Sequence, residues 1–205
     1  MTLLGQKRRT RREMQEDTRA RLLEAAFHII AEDGMAAATI RGVCDRAGFS
    51  QGAFYSNFAD KGELLLALAT QYMSEAVAVF DRLVDEIRDG SLDENLATVA
   101  NRLAELGRRP GLARLAIELH LHAPRDPRFA AHFDELKSGY HRNFAHVIEK
   151  LAKRYDLHLA MSPLQLSIAL HAMWAGTIVQ ATSEGLPMED LIVLVFRAAI
   201  ATAQR

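Results

Sequence analysis

Apolar residues recur at helical spacing along nearly the whole chain, and no segment shows the alternation of apolar and polar residues that marks a strand. Leu22, Ala26 and Ile29 form one such apolar side, and a longer one follows between Leu64 and Ile87. A chain of 205 residues, 49% of them apolar, can bury a substantial core. We therefore expect an all-α protein of about nine helices.

Capping residues and chain breakers set the expected helix ends. Asp17 or Thr18 is expected to begin the first helix, and Gly34 to end it. Thr39 and Ser50 are the expected N-caps of two short helices. The predicted helices after the first cover residues 40–48, 51–58, 61–89, 92–107, 111–122, 127–155, 163–183 and 189–203.

Charge is distributed unevenly along the chain, although the net charge is only −1. Residues 1–12 carry five basic side chains and no acid, whereas the remainder has 20 basic and 26 acidic residues. A basic arm on a mildly acidic body suggests contact with a polyanion at one end. A solubilising tail would have the same composition, so both interpretations stay open.

The composition disfavours export and insertion into a membrane. A single cysteine, Cys44, excludes an internal disulfide framework and suits a reducing cytoplasm. The start of the sequence has no apolar segment long enough for a signal peptide. Residues 157–183 lack charged side chains but contain several polar ones, so burial by protein explains them better than a bilayer does. We expect a cytoplasmic protein with no membrane partner.

No pattern of catalytic or metal-binding residues is visible in the sequence. It contains no recognisable Ser/His/Asp grouping, phosphate loop or metal-ligand spacing. His120 and His122 lie two residues apart and so point to different faces of a helix, which disfavours a metal pair. We therefore expect no enzyme activity, no cofactor and no metal.

Residues 39–57 have the proportions of a helix-turn-helix: a short helix, a tight turn at Gly48 and a second short helix. Glycine suits that turn because positive φ costs it little. Small Cys44 and Ala47 would let the two helices approach closely. The expected core of the module consists of apolar side chains from three helices: Leu22, Phe27, Ile30, Val43, Phe49, Phe54 and Phe58.

Small and polar side chains are expected on the outer side of the second short helix. Hydroxyl and amide groups can donate to phosphates or base edges, and small residues let a helix approach the floor of a DNA groove. No acid occurs in residues 47–59, and Lys61 follows with a positive charge. Together with the basic arm, these features predict a DNA-binding surface. Its candidate residues are Arg8, Arg9, Arg11, Arg12, Thr39, Arg41, Ser50, Gln51, Gly52, Ala53, Tyr55, Ser56, Asn57 and Lys61.

Residues 19–68 resemble the DNA-binding domain of the tetracycline-repressor (TetR) family of bacterial transcriptional regulators. The matches are Ala25, Ala26, Gly34, Thr39, the AGFS turn, Gly52, the aromatic pattern FY..F, and Lys61 before a leucine run. The resemblance implies a homodimer whose second short helix enters the major groove of double-stranded DNA, with Tyr55 and Lys61 holding backbone phosphates. Asn57 stands where histidine or tyrosine is common in the family, and Cys44 where alanine is common. Base preference and thiol chemistry therefore stay open.

The remainder of the chain is similar in architecture to the effector domain of the TetR-family multidrug-efflux repressors. This resemblance implies that the last two helices pair with their symmetry mates in a four-helix bundle, which fits the small residues of the uncharged segment. The residues expected at the dimer interface are Leu164, Ile168, Ala172, Ala175, Gly176, Ile178, Val179, Leu191 and Val195. The expected division is a basic arm over residues 1–17, a helix-turn-helix domain over residues 18–61, and an effector-binding and dimerisation domain over residues 62–205.

Interior helices of the C-terminal half carry aromatic and titratable side chains that suit an amphipathic ligand. The candidate ligand contacts are Leu103, Leu106, His120, Tyr140, Phe144, His171 and Trp174. Plain core packing is the alternative for each of them. We expect a sequence-specific DNA-binding regulator, foremost a repressor that leaves a palindromic operator when a small molecule binds. Two alternatives stay open. One is a DNA-binding regulator without a small-molecule effector, which activates transcription or is controlled by a protein partner, and the other is an all-helical small-molecule carrier or enzyme.

Overall fold

The computed structural model describes residues 10–86, 90–109, 111–180 and 187–200, apart from the side chains of residues 80, 83–86, 106 and 178–180. Within these ranges the protein is all-α, and the only strand-like pairing is an isolated antiparallel bridge between Leu159 and Ile200. The helices are α1 (Arg11–Asp33), α2 (Ile40–Ala47), α3 (Gln51–Tyr55), α4 (Lys61–Glu86), α5 (Leu92–Gly107), α6 (Leu112–His122), α7 (Pro127–Arg154), α8 (Pro163–Gln180) and α9 (Met188–Ala198). The predicted fold class is therefore confirmed. The predicted helical segments 87–89, 181–183 and 201–203 lie outside the described residues.

Helix α1 begins earlier than its apolar pattern indicates. Thr10 is its N-cap, because the Glu13 N–H donates to Thr10 Oγ1 (3.2 Å) and the Thr10 N–H donates to the Glu13 carboxylate (2.7 Å). This capping box satisfies two N–H groups that a helix start leaves unpaired. The prediction that Asp17 or Thr18 begins the helix is wrong, and residues 11–17 form its first turns.

The caps predicted for the next two helices are confirmed. Thr39 Oγ1 accepts an N–H from the first turn of α2 (3.0 Å), and Ser50 Oγ accepts one from the first turn of α3 (3.2 Å). Gly48 ends α2 in the left-handed conformation, with φ 75° and ψ 34°. Helix α3 ends at Tyr55, three residues before the predicted end.

The described contacts form two units that divide between Leu68 and Ala69, within α4. The first unit contains α1, α2, α3 and the start of α4. Its largest fully buried side chains are Leu22, Ile30, Phe54, Phe58, Leu64 and Leu65. Phe27 and Phe49 are only half-buried, so placing them inside the core was wrong.

The second unit contains the rest of α4 and helices α5 to α9. Within it α7 packs against α8, and α5 packs against α9. Their shared core consists of Ala76, Leu96, Val99, Ala100, Phe144, Val147, Ile148, Leu151, Leu166, Leu170, Ile192, Phe196 and Ala199. Among the described helices, none combines the length and apolar character that a bilayer span requires.

Candidate nucleic-acid interface and ligand cavity

Helix α2, the turn at Gly48 and helix α3 form a helix-turn-helix, as the sequence predicts. The N–H groups of Gly48 and Phe49 both donate to the Cys44 carbonyl, which closes the end of α2. Below α3, the rings of Phe54 and Phe58 are fully buried with their centroids 5.5 Å apart. Burial of these two rings fixes one side of α3 and leaves its opposite side exposed.

Two arginines of α1 hold the ends of the helix-turn-helix. Arg21 Nη2 donates to the Ala47 carbonyl at the end of α2 (2.9 Å). Arg19 Nη1 donates to the Asn57 carbonyl just beyond α3 (2.7 Å), and its guanidinium lies 4.2 Å from the Phe58 ring centroid. The C-terminal end of a helix has unpaired carbonyls and a partial negative charge, so each of these two cations complements the helix end that it contacts. Neither role was predicted from the sequence, because the partners are distant along the chain.

Phe49 lies at the rim of the module. Its ring is half-buried and supports the Arg21 guanidinium, which lies 4.7 Å from the ring centroid. A ring with one face under a cation keeps part of its surface in water, which explains why Phe49 is not a core residue. Phe27 is similarly half-buried and meets the ring of His28 edge-on.

The outer side of α3 exposes polar and small residues. Tyr55 is 56% exposed, and Gln51, Gly52 and Ser56 are exposed as well. The Ser56 hydroxyl donates to the Gly52 carbonyl (2.9 Å), which leaves it only as an acceptor for an external donor. Among the described hydrogen bonds, none uses the Gln51 amide or the Tyr55 hydroxyl. These two side chains are therefore the principal polar groups that α3 presents to a partner, with Ala53 half-buried beside them.

Contrary to the expectation from the sequence, Asn57 does not face outward. Its side chain is half-buried, and Nδ2 donates to the Ala53 carbonyl one turn earlier (2.8 Å). Its Oδ1 is buried with no hydrogen-bond partner among the described residues. The Asn57 side chain therefore extends the hydrogen bonding of α3 beyond the C-terminal end of the helix. Lys61 is half-buried, and its Nζ donates to the Met35 carbonyl in the loop after α1 (2.8 Å).

The remaining candidate DNA contacts are basic or hydroxyl-bearing residues: Arg8, Arg9, Arg11, Arg12, Thr39, Ser50 and Arg41. Arg8 and Arg9 lie outside the described residues. Arg11, Arg12 and Arg41 are exposed at the start of their helices. The Arg12 guanidinium donates to Glu16 (2.8 Å), whereas Arg41 Nε lies 3.7 Å from Asp45. The hydroxyl groups cap α2 and α3, as described above.

Cys44 is a packing residue in this structure. Its side chain, on α2, is buried, and Sγ lies 3.7 Å from the Ser50 carbonyl oxygen. Burial raises the pKa of the thiol, which keeps it protonated. Since the thiolate is the reactive form, this environment disfavours thiol chemistry.

A cavity lies inside the second unit, lined by side chains of α4, α5, α7, α8 and α9. Its lining residues are Tyr72, Ala76, Leu103, Tyr140, Phe144, Leu170, His171, Trp174 and Ile192. The space between its walls is about 470 Å³ when the part open to solvent at its mouth is included. It is a narrow, mainly apolar site.

Five of the seven predicted ligand contacts line this cavity: Leu103, Tyr140, Phe144, His171 and Trp174. His120 does not belong to the lining; its ring packs against that of His171, with centroids 6.1 Å apart. The side chain of Leu106 lies outside the described residues. Four lining residues were not predicted, because the apolar side of a helix does not reveal which of its residues face a cavity: Tyr72, Ala76, Leu170 and Ile192.

The polar groups of the cavity are neutral. His141 Nε2 and His171 Nδ1 are 2.8 Å apart and share a hydrogen bond between α7 and α8. Burial, together with smaller electrostatic effects of His141, His120 and Lys137, lowers the pKa of His171 to about 4. Burial also raises the pKa of Tyr140 to about 12. In the described ranges, no group of three His, Cys, Asp or Glu side chains is arranged to hold a metal ion.

Apolar residues are exposed along one side of α8 and on α9. Leu164 and Ile168, one turn apart on α8, are 42% and 46% exposed, and Leu194 on α9 is 56% exposed. Among the other predicted interface residues, Ala172 is exposed, while those that are half-buried are Ala175, Gly176, Leu191 and Val195. The side chains of Ile178 and Val179 lie outside the described residues. Leu194 was not predicted, although it lies between two predicted positions of α9.

Two family profiles match the chain. The profile described as bacterial regulatory proteins, tetR family, matches residues 22–68, which contain the helix-turn-helix. The profile described as BetI-type transcriptional repressor, C-terminal, matches residues 92–204, more than half of the chain. The two matches agree with the division of the chain into two units.

Individual relatives point to the same kind of protein. An uncharacterized HTH-type transcriptional regulator of Mycobacterium tuberculosis is 35% identical over 79 residues, which is 38% of this chain and only 40% of that relative's length. The HTH-type transcriptional repressor AcnR of Corynebacterium efficiens is 26% identical over 83% of this chain and 87% of its own. The nicotine-responsive repressor HdnoR of Paenarthrobacter nicotinovorans is 27% identical over 70% of this chain and 74% of its own.

Solved structures share the fold. A chain from Mesorhizobium loti described as a TetR-family transcriptional regulator superimposes with a TM-score of 0.73 at 17% identity, over 93% of this chain and 96% of the other. The regulator FadR of Bacillus subtilis, solved in complex with stearoyl-CoA, gives a TM-score of 0.67 at 17% identity over 89% and 97% of the two chains. At this level of identity the similarity concerns the fold alone.

Proposed function

Because this chain belongs to the tetR family of bacterial regulatory proteins, we propose that it is a repressor that binds a palindromic operator as a homodimer and is released by a small molecule. The observation that carries the DNA-binding part is the outer side of α3, which is exposed, free of acidic residues and supported from beneath by two buried rings.

In this proposal α3 enters the major groove. Gln51 contacts base edges, while the small size of Gly52 and Ala53 allows α3 to approach the groove floor closely. The Tyr55 hydroxyl and the Lys61 ammonium hold phosphates, and the basic start of the chain adds charge that is independent of sequence. The half-buried position of Asn57 makes it a support for α3, with less direct contact to bases than Gln51 has.

The dimer would form through α8 and α9. Leu164, Ile168 and Leu194 are large apolar side chains that stay exposed in the single chain. Small residues beside them, such as Ala172, permit close packing of helices from two copies. A two-fold dimer would present its two α3 helices about 34–36 Å apart, or a multiple of this, which requires a palindromic operator.

The cavity in the second unit is the proposed effector site. A completely filled core would have favoured a regulator without a small-molecule effector, whereas this core contains an aromatic-lined space. Among the similar proteins, HdnoR is described as nicotine-responsive, and FadR of Bacillus subtilis was solved in complex with stearoyl-CoA. Helix α4 carries Lys61 at its start and contributes Tyr72 and Ala76 to the cavity. A ligand that favours one position of α4 would thereby select a dimer whose α3 spacing no longer matches the operator.

Selection of bound sequences from random DNA by the full-length chain tests this function. We expect enrichment of one palindrome, and its release by one compound when the bound complex is screened against a panel of metabolites. Enrichment without release by any compound would support a regulator controlled by a protein partner. Failure to retain any DNA at low salt would refute the proposal.

A further inference from the structure

The cavity in the second unit has walls without formal charge. None of its nine lining residues is Asp, Glu, Lys or Arg. Three ion pairs lie on or next to the surrounding helices: Lys137 with Asp134 (2.7 Å), Arg108 with Glu189 (2.7 Å) and Arg109 with Glu75 (3.1 Å). An ion that entered the cavity would therefore lose its hydration without gaining a counter-charge from the walls.

The titratable groups around this space come from four helices and are Tyr72, His120, Lys137, Tyr140, His141 and His171. Burial raises the pKa of both tyrosines and lowers the pKa of His141 and His171, so these four groups are neutral. Lys137 supplies the positive charge of the set, which opposes a cationic ligand, and its pairing with Asp134 reduces any attraction for an anionic one.

The bond between His141 and His171 can have either polarity. If His141 Nε2–H donates to His171 Nδ1, the proton of neutral His171 resides on Nε2, which is then a donor. If His171 Nδ1–H donates to His141, Nε2 of His171 is an acceptor. Among the described hydrogen bonds, His171 uses Nδ1 alone, and its ring forms part of the cavity wall. One imidazole can therefore offer a donor or an acceptor without becoming charged.

The aromatic walls favour a flat occupant. The rings of Tyr72 and Trp174 are stacked with centroids 6.2 Å apart and planes 29° apart. Tyr140 stacks on Phe144 at 6.1 Å with an angle of 11° between the planes. His171 lies between these two groups, 5.1 Å from the Tyr140 ring and 5.9 Å from that of Trp174. A planar ligand can pack on these rings while its edge meets the imidazole.

We propose that the cavity binds an uncharged, planar aromatic compound with one polar edge, which hydrogen-bonds to Nε2 of His171, and that His141 sets whether this nitrogen donates or accepts. The proposal rests on the proposed effector role of the cavity for its biological meaning. Its binding chemistry is measured without DNA, so failure of this ligand class and failure of operator binding are separate results.

Four bicyclic probes of similar size test the proposal by isothermal titration calorimetry with the full-length chain at neutral pH. Indole can only donate from its ring nitrogen, and quinoline can only accept. Quinoline-2-carboxylate adds a negative charge, and N-methylquinolinium has a permanent positive charge. We expect both neutral probes to bind, and each charged probe to bind at least about tenfold more weakly, because an unpaired charge is costly to bury.

Three variants locate the contact. His171→Phe keeps an aromatic ring and should weaken both neutral probes by about threefold to tenfold, the usual worth of one hydrogen bond. His141→Phe lies outside the lining and should weaken indole more than quinoline, because indole binding then leaves the Nδ1–H of His171 unpaired. His132→Phe is the matched control: this histidine is exposed on α7 and bonds its own helix, at the Arg128 carbonyl. It should change neither affinity.

The proposal would be overturned if a charged probe bound more tightly than both neutral probes, if no probe bound, or if His171→Phe behaved like His132→Phe. Thermal unfolding of each variant identifies a loss of structure. If His171→Phe proves unfolded, His171→Leu replaces it, because leucine can neither donate nor accept a hydrogen bond. An unchanged affinity for both neutral probes in that variant would equally contradict the proposal.

Discussion

Replacement of Arg19 by methionine tests how α1 positions the helix proposed to meet DNA. The substitution keeps a flexible apolar stem but removes the hydrogen bond to the Asn57 carbonyl (2.7 Å) and the cation from the Phe58 ring (4.2 Å). A hydrogen bond from a charged donor contributes about 1.5–3 kcal/mol, and a partly exposed cation–π contact about 0.5–1 kcal/mol. Since both contacts involve one half-buried guanidinium, they are not additive, and we expect a loss of about 1.5–3 kcal/mol.

Amide hydrogen exchange measures this loss at α3 itself, whereas fluorescence of the single tryptophan, Trp174, reports on the second unit. A loss of that size corresponds to roughly ten- to a hundredfold faster exchange of the amides of α3. Arg12→Met is the matched control on the same helix, because Arg12 forms an exposed pair with Glu16 and exposed pairs contribute little. Equal exchange rates at α3 in the two variants would refute the positioning role of Arg19.

Three further predictions concern DNA contact, pH and assembly. Tyr55→Ala should weaken binding to all DNA sequences about equally, whereas Gln51→Ala should change which sequence is preferred. Competition titrations with several sequences distinguish these two effects. An unchanged affinity of Tyr55→Ala across a salt series would contradict the phosphate contact. The pKa of His171 is lowered from 6.5 to about 4 in the folded chain, so between these pH values the unfolded chain binds more protons than the folded one. The stability linked to this group is therefore fully present above pH 6.5 and is lost as the pH falls toward 4, by about 3 kcal/mol in total. Urea unfolding of the wild type should show this decline and His171→Phe should lack it; an equal decline in both would show that His171 is not its source. Ile168→Glu should give monomers in sedimentation experiments, since a carboxylate cannot be buried unpaired in an apolar interface, and a stable dimer of this variant would place the interface elsewhere.

Local signals account for most of what the sequence predicts correctly. Thr39, Gly48 and Ser50 act through hydrogen bonds and backbone conformations within a few residues, so their roles can be predicted without knowledge of the fold. The capping box of Thr10 with Glu13 has the same local character. It was missed because the first turns of α1 bury no apolar side chain, so no periodic pattern marks them as helix.

The remaining features depend on tertiary contacts that a helical pattern does not contain. Arg19 reaches a carbonyl 38 residues further along the chain, and Tyr72 faces the cavity although its spacing fits an ordinary core position. Asn57 has an amide side chain of the kind that contacts DNA bases, yet this amide donates to a carbonyl of α3. For such residues the side-chain direction decides the role, and it follows from packing between helices.

Titration of the selected palindrome by the full-length chain, beside a scrambled duplex of the same composition, tests the central claim most directly. The account predicts that two chains bind each palindrome, with a preference of about a thousandfold or more over the scrambled duplex at moderate salt. It also predicts that affinity for both duplexes falls steeply as salt rises. Equal affinity for the palindrome and the scrambled duplex, or no binding of either at low salt, would contradict it.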